Sequence, residues 1–144
     1  MKFILIPLVV YFFNQVVKLA CLLIRRRKIH GGLFSWTFIW VGQFPSAHAS
    51  VLASCCTLIW GEYGVSSIFG FSVFVSLIFL YGFLEDKKRQ SLFEGYFNKS
   101  GDAALRQIGT DKILMDFSGH TWIDIAVGIG EGIILTLYLL RSYF

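Results

Sequence analysis

Residues 3–28 read FILIPLVVYFFNQVVKLACLLIRRRK. From Phe3 to Ile24 the run is broken only by Asn14, Gln15 and Lys18, and it closes on the basic cluster Arg25-Arg26-Arg27-Lys28. As a helix it is about 33 Å long, enough to cross a hydrocarbon core of about 30 Å. No small-residue cleavage site follows it, so the run reads as a retained helix and not as a leader.

Beyond it, Ser66 to Leu84 and Trp122 to Leu140 are further spanning runs. Ser46 to Trp60 is a shorter helix of roughly 22 Å, whose start should sit below the lipid surface. Pro45 suits its first turn, and Gly61-Glu62-Tyr63-Gly64 reads as a tight turn after it. Leu33 to Val41 is apolar but short, and Gly42-Gln43-Phe44-Pro45 interrupts it. The stretch to Phe44 therefore reads as re-entrant or interfacial. Glu85 to Gly119 is the one long polar stretch, with a turn at Asn98–Gly101 and a short helix capped by Asp102 that ends near Gly109.

The expected fold is an all-α integral membrane protein. It has about four transmembrane helices, a re-entrant or interfacial segment and short cytoplasmic helices. A hydrophobic content of 56% against 15% charged residues, and a mean hydropathy of +0.65, exclude an ordinary soluble domain. The net charge of +4 sits mainly in two segments between apolar runs, so it speaks to membrane orientation and not to nucleic acid. Cys21, Cys55 and Cys56 lie in apolar segments without metal-ligand spacing and read as small buried hydrophobes.

By the positive-inside rule, Arg25–Lys28 and the group Lys87, Lys88, Arg89, Lys99, Arg106 and Lys112 share the cytoplasmic side. That places His48 and His120 at the cytoplasmic face, beside Lys18 and Arg25. The expected location is a bacterial-type plasma membrane with the site facing the cytoplasm. Four short spans enclose little core, which makes a homodimer a reasonable expectation.

Histidine is the side chain best suited to exchange protons near neutral pH. In Pro45-Ser46-Ala47-His48 the serine can cap a helix, and the free N–H groups there favour an anion. His48 in that turn could protonate a leaving oxygen, or simply bond a neighbouring carbonyl. His120 and Asp124 share a face if the helix includes His120, and the carboxylate would then orient the imidazole. Thr121 to Asp124 reads equally well as a capping box. Lys18 and Arg25 are two helical turns apart and could bind phosphate, although Arg25 also belongs to the topogenic run. Glu131, mid-span in Gly128-Ile129-Gly130-Glu131-Gly132, cannot face lipid ionised at low cost. It is expected to pair with Lys18, Asn14 or Gln15 between the first and fourth helices, while the glycines allow a close helix approach.

Lys18 with Arg25, Pro45-Ser46-Ala47-His48, and His120 with Asp124 together resemble the three-part signature of the type 2 phosphatidic acid phosphatase superfamily. The likeness is greatest to its divergent branch, the acid phosphatase/vanadium-dependent haloperoxidase-related membrane proteins. Gln15 with Lys18, the Gly42-to-Ser50 stretch and Gly119-His120-Thr121 before a Gly-rich helix carry that likeness over most of the chain.

The resemblance implies one membrane-embedded phosphatase-like domain over residues 1–144. His120 would be the nucleophile that forms a phosphohistidine, Asp124 its orienting carboxylate and His48 the acid for the leaving group. Lys18, Arg25 and Ser46 would bind the phosphate, with no metal or cofactor. Three positions depart from the pattern: Arg26 stands where a proline follows the first motif, Leu114 where the third motif has an arginine, and Gly82 where an aspartate follows the tyrosine. The expected function is a metal-independent phosphatase acting on a lipid phosphate or pyrophosphate. The alternative is a non-enzymatic lipid-headgroup binder, carrier or assembly protein that keeps the pocket.

Overall fold

The computed structural model describes residues 1–24, 44–99 and 120–143. They form four helices: α1 (Lys2–Ile24), α2 (Ala47–Tyr63), α3 (Ser67–Lys99) and α4 (Trp122–Tyr143). Among the described residues three helices are long and apolar enough to cross a membrane, at Lys2–Cys21, Ser67–Phe97 and Trp122–Tyr143. Helix α2 has 17 residues, about 26 Å, and packs against all three others. The shortest helix is thus the hub of the bundle.

Its side chains explain that position. Ser46, Ser50, Ser54 and Thr57 form a small polar stripe along α2, and all are buried. Facing them, α4 presents Gly128, Gly132 and Thr136. A Cβ added at Gly128 would lie 2.4 Å from the Ser46 carbonyl oxygen, and one at Gly132 would lie 2.2 Å from that of Ser50. One turn further, the Thr136 hydroxyl donates to Ser54 Oγ at 2.7 Å. The pairs 46/128, 50/132 and 54/136 keep one constant offset, so α2 and α4 run parallel with their backbones nearly touching. Small residues at four-residue spacing permit this approach.

Helix α1 runs antiparallel to α2. Lys2 pairs with Glu62 at one end, and Asn14 reaches Ser50 nearer the other. Helix α3 is also antiparallel to α2, with Cys56 Sγ at 3.4 Å from Ser76 Oγ and His48 against Phe83. The interior is more polar than the outside. Among the described residues, buried apolar side chains such as Val10, Leu58 and Ile125 are fewer than buried polar ones, while Phe71, Phe74 and Ile78 are exposed on the bundle surface. That distribution suits a bundle surrounded by hydrocarbon.

Three boundaries differ from the sequence reading. Helix α3 does not stop at Leu84 but continues to Lys99. Residues 85–99 hold strong helix formers and no proline, and Glu85 pairs with Arg89 one turn on. The expected turn at Gly61–Gly64 reduces to Gly64 alone, whose φ of +60° lets its N–H reach Trp60 O at 2.8 Å. Pro45 precedes the helix instead of starting it, because Ser46 is the N-cap. The Leu33–Val41 segment, the short helix expected after Asp102, and Arg25, Lys112 and Leu114 lie outside the described residues.

Candidate functional site

Parallel packing of α2 and α4 sets their N-termini side by side. The Ser46 N–H donates to the Asp124 carbonyl at 3.0 Å, tying the two starts together. Each start is closed by its own cap. On α2, Ser46 Oγ accepts from the Ala49 N–H at 3.3 Å. On α4, the Asp124 N–H donates to Thr121 Oγ1 at 3.3 Å, and Asp124 Oδ2 accepts from the Thr121 N–H at 2.7 Å. This reciprocal pair is the capping box read from the sequence. It also corrects the other reading of that motif. The helix begins at Trp122, so His120 lies before the cap and not on the helical face of Asp124.

The structure brings the two histidines together. Their ring centroids are 5.9 Å apart, with the ring planes tilted by 54°. Phe83 of α3 completes a three-ring cluster, 4.6 Å from His48 and 5.9 Å, edge-on, from His120. Phe83 belongs to no motif. The only signal for it in the sequence is its level, at the end of the third apolar run. Pairs of rings at such distances hold one another in orientation.

Lys18 reaches the same end of the bundle from α1. It is buried, at 5% exposure, and its charge acts on the carboxylates of Glu131 and Asp124 and on His48. Ser46 is fully enclosed, with its hydroxyl oxygen engaged as the cap. Asp124, likewise buried, serves the α4 cap through Oδ2. Arg89 of the basic group pairs with Glu85 at 3.2 Å on the exposed flank of α3.

Deeper in the bundle, Glu131 hydrogen-bonds to Asn14, one of the three partners expected for it. Asn14 Nδ2 donates to Glu131 Oε2 at 2.5 Å and to Ser50 Oγ at 3.0 Å. The Ser50 hydroxyl shares its single proton between Glu131 Oε2 at 3.0 Å and Ser46 O at 3.1 Å. This network joins α1, α2 and α4 and begins at Ser50, two residues beyond His48 on α2. Ser50 is the member that the sequence reading did not single out, although it sits one turn from Ser46. Among the described residues no group of three or more His, Cys, Asp or Glu side chains is placed to hold a metal ion.

A parallel pair of helices joins two partial positive charges at one mouth, which favours an anion between them. Two imidazoles and a buried lysine stand around it. A family model described as the Divergent PAP2 family matches residues 1–135. No curated protein and no solved structure matches the chain.

Proposed function

We propose that this chain, which belongs to the Divergent PAP2 family, is a metal-independent membrane phosphatase acting on a lipid phosphate or pyrophosphate. The observation that carries the reading is the 5.9 Å separation of His48 and His120, two residues 72 positions apart in the chain, at the shared mouth of α2 and α4.

In this mechanism a nitrogen of His120 attacks phosphorus and the bond to the leaving oxygen breaks. His48 gives that oxygen its proton. Water then attacks the phosphohistidine, His48 takes a proton from the water, and phosphate departs with His120 restored. Lys18 and the free N–H groups of the two first turns stabilise the charge on the equatorial oxygens. Ser46 and Arg25 complete the proposed phosphate set. Asp124 orients His120 from the capping box.

The mouth faces the cytoplasm in this reading. Supporting it, Ile24 at the end of α1 and Lys87–Arg89 one turn beyond Phe83 extend past the same end of the bundle, and Arg25–Lys28 follow Ile24 directly in the chain.

The test is to trap phosphate on the protein. Incubation with a radiolabelled lipid phosphate and rapid quenching should leave acid-labile label on His120. His120→Asn should abolish turnover while leaving binding of the lipid phosphate largely intact. Headgroup binding without trapped phosphate, and unaffected by His120→Asn, would replace the enzyme by a binder or carrier.

A further inference from the structure

The two imidazoles at the mouth are the same side chain, yet the proposed reaction gives them opposite tasks. His120 attacks phosphorus as a neutral base, and His48 brings the proton for the leaving oxygen. With centroids 5.9 Å apart, two such rings titrate as a coupled pair. The one proton between them has an assigned place only if their surroundings differ.

Helix α3 supplies a difference. Phe83 lies 4.6 Å from His48 with the ring planes inclined by 34°, and 5.9 Å from His120 with the planes at 78°. The first contact is a tilted stack and the second is edge-on. A cation within about 6 Å of a benzene face is attracted by the ring quadrupole. An imidazolium at His48 therefore gains from Phe83.

The charged groups around the mouth do not make that choice. Lys18 on α1 acts on His48 as a like charge, which disfavours an imidazolium there. On α4, Asp124 accepts from the Thr121 N–H, and Glu131 is engaged with Asn14 and Ser50. On α3, Glu85 pairs with Arg89 on the exposed flank.

Phe83 is also held firmly enough to orient both rings. It packs against the buried cluster of Ala49, Leu80 and Ile125, which joins α2, α3 and α4. His48 stands in the first turn of α2. His120 precedes the Thr121 cap, so no helical backbone fixes its ring.

We propose that Phe83 is a positioning residue of this site, whose face orients His48 and favours the proton there, leaving His120 as the nucleophile. This rests on the reading of the mouth as a phosphatase site, and Phe83 acts through the imidazoles without touching phosphorus.

The experiment compares the full chain in nanodiscs as wild type, Phe83→Leu, Phe83→Met and Phe83→Tyr. Leucine and methionine fill the apolar contact without an aromatic face, whereas tyrosine keeps the face. Nitrogen NMR of labelled histidine, assigned with His48→Asn, follows the titration of His48 without any need for turnover. In Phe83→Leu and Phe83→Met the His48 midpoint should fall by about half a unit, and in Phe83→Tyr it should stay near wild type. With a lipid phosphate as substrate, the two aliphatic variants should lose at least about ten-fold in kcat, with KM within about two-fold of wild type. Phe83→Tyr should recover most of that loss. Because turnover needs the proton on His48, the alkaline fall of kcat in the aliphatic variants should begin at lower pH by the same half unit or so.

A His48 midpoint that is the same in all the proteins overturns the inference. So does a tyrosine variant as impaired as the aliphatic ones, or an aliphatic variant whose kcat matches wild type. If wild type shows no turnover, the titration decides alone. A midpoint lowered by leucine and restored by tyrosine then keeps Phe83 as the group that places the proton and removes only the hydrolysis.

Discussion

Adding one methyl group at Gly132 tests the arrangement on which the mouth depends. In Gly132→Ala the new Cβ would stand 2.2 Å from Ser50 O, 2.9 Å from its carbonyl carbon and 3.0 Å from its Cα. These are backbone atoms, so no side-chain rotation relieves the overlap. To reach an ordinary contact of 3.4 Å, α2 and α4 must part by about 1.2 Å, and overpacking of this kind costs about 1–3 kcal/mol. The better helix propensity of alanine offsets at most about 1 kcal/mol of it. The same displacement stretches the contacts from Ser50 to Glu131, at 3.0 Å, and from Thr136 to Ser54, at 2.7 Å, beyond hydrogen-bonding reach. Gly130→Ala is the matched control, because a Cβ there meets nothing within 4 Å. Thermal unfolding of the purified protein in detergent should show Gly132→Ala clearly less stable than wild type and Gly130→Ala unchanged or slightly more stable. If the two variants melt together, α2 and α4 are not in this register and the shared mouth is lost with it.

At the mouth itself, Gly128→Ala sets a Cβ 2.4 Å from Ser46 O. A shift of about 1 Å there should lower turnover of a lipid phosphate by roughly 10²-fold, measured as phosphate release. Thr121→Ala removes half of the capping box and should cost about 1 kcal/mol in thermal unfolding, with Thr121→Ser restoring most of it. Glu131→Gln keeps an acceptor for Asn14 and Ser50, whereas Glu131→Leu removes it and leaves Asn14 only Ser50 Oγ and Ser50 only Ser46 O. The leucine variant should therefore be the less stable by about 1–3 kcal/mol in the same measurement. Single cysteines placed at residues 27 and 88 in a cysteine-free background should react with an impermeant maleimide from the same side of sealed vesicles. Labelling from opposite sides would contradict the bundle order.

What could be read from the sequence follows the physics that dominates each feature. Lipid demands long apolar runs, so α1, α3 and α4 were visible as segments. The overrun of α3 was not, because the change of composition at Glu85 marks where the chain leaves hydrocarbon, and leaving hydrocarbon does not end a helix. The helix start at Trp122 was visible as Thr121 to Asp124, since capping is local. The same locality misled at His120, where spacing to Asp124 implied a common helical face that the cap removes. That Glu131 needs a polar partner on α1 was legible because an intramembrane carboxylate demands one, but which of Lys18, Asn14 and Gln15 was not. The register of α2 on α4 was written in two matched series, Ser46, Ser50 and Ser54 against Gly128, Gly132 and Thr136. Their pairing became readable only once the helices were known to be parallel neighbours. Phe83 had no local signature, because its importance comes from three helices meeting at one level.

The parallel pairing also accounts for the charges around the mouth. Side by side, two helix starts repel through their like partial charges, and a bundle that brings them together must offset that repulsion. The carboxylate of Asp124 answers one of them through Oδ2, which closes its own cap. Two turns deeper, Glu131 answers part of the charge on Lys18. Helical rise along antiparallel α1 and α4 puts Lys18 at a level between these two carboxylates, and its charge acts on both. The second helix start, at Ser46 and His48, is met by the Glu131 carboxylate through Ser50, whose hydroxyl donates to Oε2 at 3.0 Å. Under the proposed function, a phosphate group would add negative charge and hydrogen-bond acceptors beside the two first turns. The packing that sets the two helix starts side by side is therefore the packing on which the proposed phosphate site depends.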